Sequence, residues 1–171
     1  MHGSTGEGWL YALANETPSN WGDVANFYRC MEAFASESDE DRFLVESEVW
    51  GNLQRTDVLP QPGDGFAFYH STRAQFPEGD VGRRMPRISL IGELRAIQRD
   101  GREIRSIQVE VNRSVLAALK SRPIVRKDGT KQFFERCGIV PGAVASLYHA
   151  DHETWAVFSE MLRYRMPTTT S

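Results

Sequence analysis

Cysteine is scarce in this chain and long apolar runs are missing. The two cysteines, Cys30 and Cys137, are far apart and sit in helix-like or turn-like surroundings. A disulfide framework is therefore not supported, and a reduced, cytoplasmic pair is expected. No apolar run approaches the roughly 18 residues that a membrane helix needs, so no membrane association is expected. The opening stretch MHGSTGEGWLY has no basic region followed by an apolar one, and no secretion signal is visible in it. GxxxxGK[ST] and GxGxxG are both absent, which argues against a doubly wound nucleotide fold. CxxC and HExxH are absent too. In HADH, His149 should end a strand and His152 should begin a helix, so their side chains need not converge on a metal. Ser71 and Ser146 lack a GxSxG elbow. No catalytic residue, metal or cofactor is assigned.

What is present is an ordinary globular composition. With 171 residues, 40% of them hydrophobic and 25% charged, the chain can bury a core, and a single domain over residues 1–171 is expected. The net charge of −3 hides a segregation. Residues 1–71 hold 3 Lys/Arg against 12 Asp/Glu, and residues 72–136 hold 15 against 8. A basic middle segment suits a polyanion. The alternative is that the two segments interleave in space and neutralise each other.

The pattern of apolar residues predicts a strand at 8–15 and a helix over 22–35. Val24, Phe27, Tyr28, Met31 and Phe34 fall at helical spacing there, behind an Asp23 cap. Residues 43–47 read as a short strand, or as the end of an insertion over 36–48. FAFYHS (66–71) is a strand whose alternation sends Phe66 and Phe68 to one face and Tyr69 and Ser71 towards the other. Residues 87–113 read as two long strands joined by RDGR. A short helix at 114–120, a helical turn at 131–138 stopped by Gly138, and a strand at 144–150 follow. A last helix over 151–165 is capped by Asp151 and carries Trp155, Phe158 and Leu162. The tail, 167–171, should fray. The plan is α+β: a curved antiparallel sheet or small β-barrel flanked by short helices.

The stretch SEVWGNLQRTDVLPQPGDGFAFYHS raises the question of function. It sets Trp50 between polar flanks at the mouth of an irregular loop, where the ring could wall a slot for a flat ligand such as a nucleobase. Stacking on an aromatic face contributes about 1–3 kcal/mol per base, and an Asn amide supplies both a donor and an acceptor for the base edge. The plainer readings are a half-buried packing residue for Trp50 and turn or capping residues for Asn15 and Asn52. Arg73, Arg83, Arg84 and Arg87, in the glycine-bearing loop after the aromatic strand, could hold phosphates. Otherwise that loop is simply solvated.

Trp50, Asn52 and Arg55 before GDGFAFYHS resemble the EVE domain, a member of the PUA-like superfamily related to YTH domains. GWLYALAN is similar to that family's opening strand, and SLIGELRAI and GIVPGAVASLYHADHETWAVFSEML follow in the family's order. The LAN ending departs from the usual Ser or Lys. The resemblance implies a PUA-like barrel, with no catalysis and no cofactor, that binds nucleic acid, DNA or RNA. Its pocket would accept a flipped or unpaired base, modified bases foremost. Trp50 would stack on that base, Asn15 and Asn52 would meet its edge, and Tyr69, His70 and Ser71 would line the far side. Such readers serve in defence against foreign DNA, with a possible nuclease partner, or in RNA metabolism. The alternatives are a small nuclease or other RNA-processing enzyme with His70 as acid–base group, or a regulatory domain for a planar ligand or a protein.

Overall fold

The strands are β1 Gly8–Leu13, β2 Arg42–Glu48, β3 Gly65–His70, β4 Arg87–Asp100, β5 Glu103–Asn112, β6 Ile124–Val125 and β7 Leu147–Ala150. The helices are α1 Val24–Ser36, α2 Arg113–Ser121, α3 Lys131–Arg136 and α4 His152–Arg165. These elements come from a computed structural model that describes residues 5–17, 20–49, 53, 57–77, 85–101, 103–143 and 145–167. The fold is α+β, as expected. Its sheet is seven-stranded, in the order β2-β5-β4-β3-β1-β7 with β6 against β4. Two features differ from a small antiparallel barrel. Among the described residues the sheet does not close between β2 and β7, where β7 carries only an isolated bridge from Leu53, and β1 runs parallel to β3, from Gly8↔Gly65 to Leu13↔His70.

Local chemistry accounts for most element ends. Asp23 accepts a hydrogen bond from the Asn26 amide (3.1 Å) and Asp151 one from Thr154 (2.9 Å), each satisfying a donor that the first helical turn leaves free. Asn112 does the same for α2 through Ser114 (2.7 Å), so one residue ends β5 and starts the helix. Gly101, at φ +64°, turns the chain between β4 and β5, a conformation that favours glycine. The region that sequence alone left open as an insertion is part of the framework. α1 runs to Ser36, and β2 pairs with β5 from Arg42↔Asn112 to Glu48↔Ser106. Of the tail, 168–171 lie outside the described residues.

β3 occupies the centre, and all six of its residues are buried. Alternation divides them between two cores. Phe66 and Phe68 join Trp9, Phe27 and Met31 beneath α1. Ala67 and Tyr69 join Phe134, Trp155 and Phe158 beneath α3 and α4. The GD preceding β3 is structural. Asp64, 1% exposed, accepts hydrogen bonds from Trp9 Nε1 (3.0 Å), Thr5 Oγ1 (2.5 Å) and the Gln61 amide (3.0 Å). Three donors replace the hydration that the buried carboxylate loses.

Candidate ligand site at the ends of the parallel strands

Because β1 and β3 are parallel, both leave the sheet at the same end. Ser71 donates its amide to Leu13 O (2.9 Å) and Asn15 donates to Arg73 O (3.1 Å), so the two exits are tied together. On the other side of β1, antiparallel β7 brings Tyr148 opposite Leu10. Arg126, Lys131 and the turn 139–142 face these strand ends. Between them lies a hollow of about 830 Å³, within the range of small-molecule sites. The bulge between Phe68 and Tyr69 lies at the hollow's end of β3, a common place for a bulge that re-aims a side chain.

The hollow is mixed in character. Ala12, Ile139, Val140 and three tyrosines, Tyr11, Tyr69 and Tyr148, make up its apolar part. Three cations line it. Arg73 pairs with Glu16, and Lys131 stands 3.8 Å from Glu135. Arg126 forms no ion pair among the described residues, and its guanidinium lies 5.9 Å from the centre of the Tyr69 ring. Burial pushes the phenols of Tyr69 and Tyr148 up, Tyr69 far above its ordinary range with Arg126 only partly opposing. Both are protonated donors in the physiological range.

Of the residues expected to touch a base, Tyr69 and Ser71 line the hollow. Asn15 is exposed and lies beside it without lining it. Trp50 and Asn52 are outside the described residues. Leu53, which is described, forms a parallel bridge with Leu147, between the lining residues Ser146 and Tyr148.

His70 departs from expectation. It faces the core beneath α1, fully buried, with its ring 4.9 Å from that of Phe27. Nε2 is 2.9 Å from the Trp21 carbonyl, which can only accept, so Nε2 carries the proton. Nδ1 is then the acceptor for the Ser89 hydroxyl at 2.6 Å. Burial lowers the ring's pKa to about 4. A neutral, saturated imidazole with no face on the hollow is a structural bond, and it does not serve as an acid–base group.

The phosphate candidates also separate. Arg73 is exposed on the rim. Arg83 and Arg84 lie outside the described residues. Arg87 is buried, donates from Nε to Met85 O (3.1 Å) and stacks 4.9 Å from the Phe76 ring, so it is committed to packing. Trp21 is likewise core, edge-on to Phe27 and Phe68. Cys137 is buried, its thiol pushed up to about 12 by that burial, which makes it a poor nucleophile. His149 and His152 do converge, on the Glu7 carboxylate, at 3.5 and 3.9 Å. Among the described residues no three His, Cys, Asp or Glu side chains are placed to hold a metal ion.

Sequence reasoning did not single out Arg126, Lys131 or Tyr148. The one signal that included two of them was the charge excess of residues 72–136, to which Arg126 and Lys131 contribute.

The chain matches no family model, no curated protein and no solved structure. Among the described residues no helix is long and apolar enough to cross a membrane.

Proposed function

We propose that the chain is a non-catalytic, EVE-type module of the PUA-like superfamily. In this reading it takes a flipped or unpaired base of DNA or RNA, modified bases foremost, into the hollow at the ends of β1 and β3. The observation that carries the reading is the lining itself: Tyr69 and Tyr148 with their hydroxyls protonated, an apolar wall, and three cations around the same hollow. A flat, polar-edged ligand attached to a polyanion matches all three. Trp50 would add a stacking face, as the resemblance implies. The burial of His70 supports binding without cleavage by that residue.

The test is a binding screen against single- and double-stranded oligonucleotides carrying methylated and hydroxymethylated bases. At least one is expected to bind in preference to its unmodified counterpart. Ala143→Trp, which fills the rim of the hollow, and Trp50→Ala should each weaken that binding by about 5- to 150-fold, the equivalent of one lost stacking contact. Their melting transitions should stay near that of the parent. Absence of binding across the whole screen would overturn the proposal.

A further inference from the structure

Tyr69 lines the hollow yet is 1% exposed, and among the described residues its hydroxyl has no hydrogen-bond partner. A buried hydroxyl without a partner costs stability, so its persistence on the wall of a hollow asks for a function. Arg126 is the charged group that acts on it, but a guanidinium only donates. Whatever Arg126 gives the phenol oxygen, the phenol proton still lacks an acceptor. Arg126 is in turn held in place, because its backbone amide donates to Pro86 O at 2.8 Å. Unlike Arg73 and Lys131, it has no carboxylate neutralising it among the described residues. Two donors of unspent capacity thus share one wall.

We infer that Tyr69 and Arg126 form an oxyanion site for a phosphate of the nucleotide whose base enters the same hollow. This rests on the base-binding proposal above and extends it from a base to a base with its phosphate. An anionic oxygen satisfies both groups at once, accepting from the Tyr69 hydroxyl and pairing with the guanidinium, and charge-assisted bonds of this kind are the strong ones. The hollow, at about 830 Å³, lies near the upper end of the range for small-ligand sites and has room for more than a single planar ring. The phosphate can belong to a free nucleoside monophosphate or to a nucleotide within a strand.

Calorimetric titration with the four nucleoside 5′-monophosphates, the matching nucleosides, inorganic phosphate and short single strands separates these cases. The phosphate-bearing form of the preferred base is expected to bind at least tenfold more tightly than its nucleoside. Tyr69→Phe and Arg126→Met should each remove that advantage, read as the ratio of monophosphate to nucleoside affinity within the same variant. Tyr69→Phe should also melt no lower than the parent, since it deletes an unpaired hydroxyl. That result distinguishes a lost ligand contact from a damaged fold.

If the monophosphate is the tighter ligand, the site takes free nucleotides. If the strand is tighter, it reads a nucleotide in a chain. Phosphate binding that depends on Tyr69 without any nucleoside binding would keep the oxyanion site and remove the base reading. Equal binding of nucleoside and monophosphate, or unchanged binding in Tyr69→Phe, would overturn the oxyanion site and leave the base reading standing. No binding of any probe would overturn both.

Discussion

Trp155→Ala is expected to lower the unfolding free energy by about 3–5 kcal/mol, the usual cost of emptying a large aromatic site. Trp155 lies on α4 with its ring over Gly8 and Gly65, which face each other across the parallel pair. A methyl group on either glycine would be placed inside the indole. Gly65→Ala should therefore cost about 1–3 kcal/mol as overpacking. The two changes should also couple. In the double variant the new methyl enters the space the indole left, so the combined loss should be smaller than the separate losses together, by about 1 kcal/mol or more. Chemical denaturation of the four proteins in the cycle measures this, and strict additivity would show that the ring does not depend on the glycine notch. The notch matters beyond stability. It lets α4 lie directly on the strands whose far ends carry the hollow.

His70 should make the fold acid-sensitive in a defined window. The unfolded ring takes a proton near pH 6.5, whereas the buried ring resists it down to about 4. Between those values the unfolded state holds more protons, so stability rises with pH. The contribution is fully present above pH 6.5 and is lost as the pH falls towards 4. The span amounts to about 3 kcal/mol. His70→Gln can still donate to the Trp21 carbonyl and accept from Ser89, yet it does not titrate. Plotted against pH, the difference in unfolding free energy between parent and variant should change by about this amount from pH 7 to 4. A flat difference would mean that the ring is open to solvent.

The α+β plan was legible in the sequence because caps, turn residues and periodicity are local signals. Asp23, Asp151 and the turn glycine Gly101 each act within a few residues, and each acts in the structure as its chemistry suggests. The parallel pairing of β1 with β3 was not legible. It joins segments more than fifty residues apart, and no local pattern encodes a partner at that distance. The candidate site depends on that pairing, so only part of it could be read. Tyr69 and Ser71 were found by alternation along their own strand. Arg126 and Tyr148 come from elements that reach the hollow only through the tertiary fold. His70 was misplaced because FAFYHS suggested one buried face and one open rim, whereas a central strand covered by helices on both faces buries every residue.

Backbone amide shifts, followed by NMR as the best oligonucleotide of the screen is added, test most directly where a base binds. The expected perturbations fall on Ala12, Ser71, Ser146 and Tyr148, around the hollow, with the β2 edge unmoved. Shifts confined to β2 and α2, with those four amides unchanged, would contradict a base site between the ends of β1, β3 and β7.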